Sequence, residues 1–236
     1  MINGKKYTAI VLAAGSGSRM HSAVPKQYMQ IGGYPLVYYS LKAFENSKVD
    51  QVILVTAEKD ITFCVQEIIK KYHLKKVTAV VAGGTERYLS VYEGLKAAEE
   101  PDYVLIHDGA RPLLDVTMIE TAIEAVEKEQ ACVFAVPVKD TIKVSGESGY
   151  AVETPDRSTL WSVQTPQNFS YRLIMEAYQN YFCAREKGES LPVITDDAML
   201  VEQMTGHKVK LLLGKYENLK VTTPEDIKIA ELFLER

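Results

Sequence analysis

Long hydrophobic runs are missing from this chain of 236 residues. The longest, such as Ala9 to Ala14 and Gln51 to Ala57, are of strand length and fall short of the roughly 20 apolar residues that a membrane-crossing helix needs. The N-terminal stretch also lacks the apolar region of a secretory signal, which predicts a soluble, cytoplasmic protein. Cysteine is scarce. Cys64, Cys132 and Cys183 are far apart, odd in number and without C-x-x-C spacing, which argues against both a disulfide framework and a zinc site and suits a reducing compartment. Excess positive charge is absent as well: the formal net charge of -4 excludes a general binder of nucleic acid or of membrane surfaces. Any positive charge that matters must therefore be local, and the expected partners are small anions. Repeats, low-complexity tracts and linkers are not found, and 47% hydrophobic residues can fill a core. Residues 1–236 are expected to form a single domain.

What is present is an alternation. Short β-branched runs at Thr8–Leu12, Val52–Thr56, Val77–Val81, Tyr103–Ile106 and Cys132–Val138 are separated by stretches with helical apolar spacing, which predicts βαβ units and a parallel sheet. Their near-continuous apolar character fits strands covered by helices on both faces. Helices are expected over Pro35–Phe44, Ile61–Tyr72, Tyr88–Ala98 and Thr117–Lys128, the last capped near Asp115. Between Lys139 and about Trp161 two short strand-like runs flank a polar turn, a β-arm too small to bury its own apolar face. Trp161 to Phe169 is polar and reads as an ordered loop. Beyond it follow a helix from Tyr171 to Lys187, another from Asp197 to Met204, a strand at Lys208–Leu213 and a terminal helix from Pro224.

The first strand runs into Ala13-Ala14-Gly15-Ser16-Gly17-Ser18-Arg19-Met20 and on to Pro25-Lys26. Gly15 and Gly17 let backbone N–H groups approach phosphate oxygens with no Cβ in the way, and Arg19 and Lys26 add full positive charge. A Walker loop needs a different glycine spacing and a Gly-Lys-Ser/Thr ending; a dinucleotide fingerprint needs a third glycine where Met20 stands. The segment resembles instead the signature of sugar and polyol nucleotidyltransferases.

Three other segments carry candidate chemistry. Tyr103–Ile106 ends in His107-Asp108-Gly109-Ala110-Arg111-Pro112, so Asp108 falls on the ligand-binding edge of a parallel sheet, where a carboxylate is a natural Mg²⁺ ligand or else a cap for the next helix. His107 serves packing or a hydrogen bond. Gly83-Gly84-Thr85 is a second glycine turn, able to approach a flat base while Ser90 bonds its polar edge; Glu86 and Arg87 read equally well as first-turn helix residues. Lys220, beside a Thr-Thr-Pro-Glu helix entry, reads as a solvated surface lysine on composition alone.

Taken together and in order, these segments resemble the 2-C-methyl-D-erythritol 4-phosphate cytidylyltransferase family over nearly the whole chain. The resemblance implies an α/β, Rossmann-like nucleotidyltransferase domain with a mostly parallel, helix-covered sheet. It also implies a homodimer through the protruding arm at 139–161. CTP and a polyol phosphate are the implied partners, with Mg²⁺ or another divalent cation as cofactor. The backbone at Ala13, Ala14, Gly15, Gly17, Gly84 and Thr85, with Ser90, would hold the nucleotide. Arg19 and Lys26 would grip its triphosphate, and Asp108 would hold the metal. Arg111, Thr141, Arg157, Thr165, Thr195 and Lys220 would meet the polyol phosphate, Thr141 and Arg157 arriving on the partner's arm. Arg19, Lys26, Arg157 and Lys220 are the implied catalytic cations. Family members more often have Asp-Ala-Ala-Arg-Pro where this chain has Asp108-Gly109-Ala110-Arg111-Pro112, a change that bears on the stiffness of that loop. A ribitol 5-phosphate cytidylyltransferase of the same fold fits the phosphate and cytosine residues too. A catalytically silent nucleotide-binding dimer is the alternative from another class.

Overall fold

The computed structural model describes residues 4–15 and 24–235. Its elements are β1 (Tyr7–Ala13), β2 (Gln30–Ile31), β3 (Tyr34–Pro35), α1 (Leu36–Glu45), β4 (Gln51–Thr56), α2 (Ile61–Phe63), β5 (Val77–Ala82), α3 (Arg87–Lys96), β6 (Tyr103–Asp108) and α4 (Val116–Glu129). They continue with β7 (Ala131–Pro137), β8 (Val144–Ser145), β9 (Ala151–Glu153), β10 (Trp161–Ser170), α5 (Tyr171–Glu186), α6 (Asp197–Thr205), β11 (Lys210–Leu213) and α7 (Pro224–Leu234). Helix α2 widens into a π-helix over Cys64–Lys70, which seats Cys64 and Ile68 in the core.

One seven-stranded sheet runs in the order β11-β7-β10-β6-β1-β4-β5. Its pairings are parallel except those of β10, which lies antiparallel between β6 and β7. The strands alternate between two buried faces: Ala9, Val11, Leu54 and Leu105 pack on one side, Ile10, Ile53, Val104 and Ile106 on the other. Both faces are dry, which is why β1, β4 and β6 read as apolar without interruption. Helix starts follow their capping residues. The Asp115 carboxylate accepts the Met118 N–H at 2.9 Å at the head of α4, and Asp226 accepts from Thr222 and Thr223 at 2.7 and 2.8 Å around Pro224.

The expected loop at 161–169 is instead part of the interior strand β10, and Gln164, Thr165, Gln167 and Asn168 on it are buried. Polar side chains can occupy a core strand only when each finds a partner. Here Gln164 donates to the Lys215 carbonyl at 2.8 Å, Asn168 to the Cys132 carbonyl at 3.1 Å and Gln167 to Asp196 at 2.9 Å. Pairing of β10 with β7 breaks between Val163 and Gln167, a stretch that contains Pro166, which has no N–H to donate.

The arm forms as expected. Strands β8 and β9 pair antiparallel, with Val144 opposite Glu153 and Ser145 opposite Ala151, and all five of their residues are exposed. At its root the Arg157 guanidinium donates to the Lys139 carbonyl at 2.9 Å. Among the described residues, no helix is long and apolar enough to cross a membrane.

Candidate active site

Because β1, β4, β5 and β6 run parallel, their carboxyl ends share one edge of the sheet, and the turns beyond them enclose a pocket of about 420 Å³. Ala13, Ala14 and Gly15 form one wall and Gly84, Thr85 and Ser90 another. The two turns touch. A Cβ built on Gly83 would lie 2.6 Å from the Ala14 Cβ and 2.7 Å from the Ser90 Oγ, so only glycine allows this approach. The Ser90 hydroxyl lies 3.1 Å from the Glu86 carbonyl and 3.3 Å from that of Gly84, which braces the second turn.

Lys26 enters on a single 3₁₀ turn, Lys26–Tyr28, held from both sides. The buried Gln27 amide donates to the Ala13 carbonyl at 2.7 Å, and the Tyr28 hydroxyl pairs with that of Thr56 at the end of β4. The Lys26 ammonium donates to the Val221 carbonyl at 3.0 Å.

Asp108 closes the floor of the pocket. It is 7% exposed; its Oδ2 lies 2.7 Å from the Lys220 Nζ and its Oδ1 3.2 Å from the Arg87 Nε. Burial alone would raise its pKa, but Arg87, Lys220 and Arg111 outweigh that and hold the carboxyl well below the usual carboxylate range. Arg87 reaches on through its Nη1 to the fully buried Asp197, 2.9 Å away. Its own charge is secured, the two carboxylates more than offsetting the cost of burial.

Behind Asp108 the hydrogen-bond pattern determines a tautomer. The Arg111 carbonyl, 3.2 Å from the His107 Nε2, can only accept, so Nε2 carries the proton. Nδ1 is then an acceptor, and the Thr165 hydroxyl donates to it at 3.1 Å while accepting the Asp108 N–H at 3.1 Å. Burial pushes the His107 pKa down to about 4, so the ring stays neutral. The Arg111 guanidinium donates to the Asn218 carbonyl at 2.7 Å, and the Asn218 amide to the Thr165 carbonyl at 2.9 Å. Gly109 occupies a close-packed point of this loop. An added Cβ would sit 3.0 Å from both the Leu12 carbonyl oxygen and a Val37 methyl.

A family model described as 2-C-methyl-D-erythritol 4-phosphate cytidylyltransferase matches residues 7–236. This chain belongs to that family. Curated members from Lachnoclostridium phytofermentans and Lachnospira eligens are 50% and 51% identical, over 98% and 96% of this chain and 97% and 98% of theirs. A crystal structure of 4-diphosphocytidyl-2C-methyl-D-erythritol synthase from Anaerococcus prevotii superposes with a TM-score of 0.83 at 35% identity, covering 99% of this chain and all of that one (100%). One of the cytidylyltransferase from Thermus thermophilus gives 0.75 at 31% identity, over 98% and 100%. The α/β nucleotidyltransferase fold is shared with these structures.

Of the residues that the family resemblance singled out, Ala13, Ala14, Gly15, Lys26, Gly84, Thr85, Ser90, Asp108 and Lys220 line one pocket. Gly17 and Arg19 lie outside the described residues. Thr165 is not among the pocket-lining residues: its buried hydroxyl is bonded to His107 and to the Asp108 N–H. Arg111 also stands behind the wall, its Nε buried without a partner. Thr195, exposed just ahead of α6, and Thr141 and Arg157, exposed on the arm, are not among the pocket-lining residues. Lys220, a surface lysine on composition, is the ion partner of the floor carboxylate.

Sequence reasoning passed over Arg87 and Asp197. Two adjacent aspartates at a helix start offered a signal, since only one can cap. Asp196 does so, accepting the Met199 N–H at 2.8 Å, and Asp197 is left for another partner.

Proposed function

We propose that this chain transfers the cytidylyl group of CTP to 2-C-methyl-D-erythritol 4-phosphate, giving 4-diphosphocytidyl-2-C-methyl-D-erythritol and pyrophosphate. The observation that carries this reading is the convergence of Lys220 and Arg87 on Asp108, with Lys26 lining the same pocket, between two glycine turns at one sheet edge. Backbone groups at Ala13, Ala14, Gly15, Gly84 and Thr85, with Ser90, receive the cytosine and sugar, and the triphosphate is assigned to Lys26 and Arg19.

A phosphate monoester, with a second pKa near 6, is mostly dianionic at neutral pH, so no general base is needed. One of its oxygens attacks the α-phosphorus in line. The bond to the β-phosphate oxygen breaks and its electron pair leaves with pyrophosphate. The barrier is repulsion between anions and charge build-up, which positioned cations relieve. His107, neutral and bonded on both nitrogens, holds the loop and takes no proton.

Asp108 fits a divalent cation. A carboxylate has about four lone-pair sites, which Lys220 and Arg87 do not exhaust, and Mg²⁺ takes one or two carboxylates beside phosphate oxygens and waters. When bound, the cation neutralises charge on the triphosphate.

The same reading makes residues 1–236 a single cytoplasmic domain that pairs with a second copy through the arm, bringing Thr141 and Arg157 to the neighbour's polyol phosphate beside Arg111, Thr195 and Lys220. Its support is the arm itself, where Tyr150 and Val152 are 76% and 68% exposed. The test is pyrophosphate release from CTP, UTP or ATP with methylerythritol phosphate or ribitol phosphate and Mg²⁺. Release with CTP and methylerythritol phosphate is expected; a preference for ribitol phosphate overturns the acceptor, and no release with any acceptor overturns the transfer.

A further inference from the structure

Asp197 is fully buried, and its Oδ2 forms an ion pair with the Arg87 Nη1, 2.9 Å away, while neither of its oxygens has an aligned hydrogen-bond donor. Burying a carboxylate is costly, and helix α6 does not need this one, since Asp196 already caps it. The position of Asp197 is nevertheless tightly held. The Gln167 side-chain carbonyl accepts the N–H groups of Asp197 and Ala198, each at 3.0 Å, and its amide donates to Asp196 at 2.9 Å. Gln167 stands on β10 opposite Ile106, two residues before Asp108 on β6. The carboxylate of α6 is thereby registered to the strand that carries the pocket's floor.

The guanidinium between them is divided. Its Nε meets Asp108 Oδ1 at 3.2 Å and its Nη1 meets Asp197, so it does not grip Asp108 as a two-pronged fork. The second oxygen of Asp108 goes to Lys220 at 2.7 Å, a compact charge on a flexible stem that can yield its place.

We propose that Asp197 is a positioning residue for Asp108, acting through Arg87: by holding one arm of the guanidinium it keeps Arg87 from closing on both oxygens of Asp108 and leaves that carboxylate open to exchangeable cations. Without Asp197 the same guanidinium turns its fork on Asp108 and competes with Lys220 and with a divalent ion. The inference rests on the reading of Asp108 as the cation-holding carboxylate of the transferase.

The test compares the full-length wild type with Asp197→Asn, Arg87→Gln and the double variant. Two quantities are read: the Mn²⁺ dissociation constant in the presence of CTP, by electron paramagnetic resonance, and the Mg²⁺ concentration for half-maximal pyrophosphate release. Thermal unfolding monitors the fold. Asp197→Asn is expected to raise both quantities together by about 10-fold, the size usual for partners of metal ligands. In the Arg87→Gln background the same change should alter either by less than about twofold, because residues acting through one another are not additive. Losses that multiply, or an unchanged Mn²⁺ constant in Asp197→Asn, overturn the inference. If Asp197→Asn does not fold, Asp197→Glu keeps the charge but displaces it; a shift of about threefold supports the inference and wild-type constants overturn it. Should the wild type release no pyrophosphate while the Mn²⁺ shifts appear as stated, the transferase reading fails and the positioning role stands.

Discussion

The Lys26 ammonium donates to the Val221 carbonyl at 3.0 Å, and the Val221 N–H donates to the Ala110 carbonyl at 2.8 Å. The turn after β1, the loop after β6 and the segment ahead of α7 are thus joined at one point, with Lys220 beside the joint and directed to Asp108. Lys26 is both a charge and a clip.

Lys26→Ala should therefore lower turnover by on the order of 10²-fold or more, the loss expected when a transition-state charge donor is removed. Steady-state pyrophosphate release measures it, with circular dichroism to verify the fold. Near-normal turnover in a folded variant would remove Lys26 from the catalytic cations.

His107 sets an acid limit on stability. Its folded pKa of about 4 lies below its ordinary 6.5, so between those values the unfolded chain binds a proton that the folded chain does not. Stability from this group is complete above pH 6.5 and is lost as pH falls toward 4, on the order of 2 kcal/mol by pH 4.5. His107→Gln cannot titrate, and urea unfolding at pH 7 and 4.5 should show a smaller acid loss in the variant by that amount. Equal acid losses would mean that His107 is not the neutral, buried ring described here.

Arg157→Ala should weaken polyol-phosphate binding more than CTP binding, because the arm residue is assigned to the acceptor. Calorimetric titration of each ligand separates the two affinities. Equal losses would count against the arm's role.

Gln167→Ala should destabilise the fold by about 2 kcal/mol, since it leaves the buried N–H groups of Asp197 and Ala198 and one oxygen of Asp196 without their partner. A drop in Tm is the readout, and an unchanged Tm would show that water or a shifted side chain replaces the amide.

The parallel strands and their helices were legible because burial on both faces writes itself as apolar runs, as in β1 and β6. Strand β10 was not. Its buried Gln164, Thr165, Gln167 and Asn168 are stabilised by partners such as Lys215, His107 and Asp196, which no local window of sequence brings near. The same holds in the pocket. Gly15, Lys26 and Gly84 sit in turns, and Asp108 at a strand end, whose composition betrays their chemistry, whereas Arg87 looks like any first-turn helix residue until Asp108 and Asp197 are found against it.

The arm leaves β7 at Pro137 and rejoins the sheet at Trp161, and these two residues face each other as paired neighbours. The strand that receives it, β10, also carries Thr165, whose hydroxyl fixes the Asp108 N–H. The arm is thus a lever rooted in the same strand that braces the pocket floor. Shortening it beyond the Pro137 and Trp161 pair would do more than trim the arm, because the cut would loosen the support of the pocket floor itself.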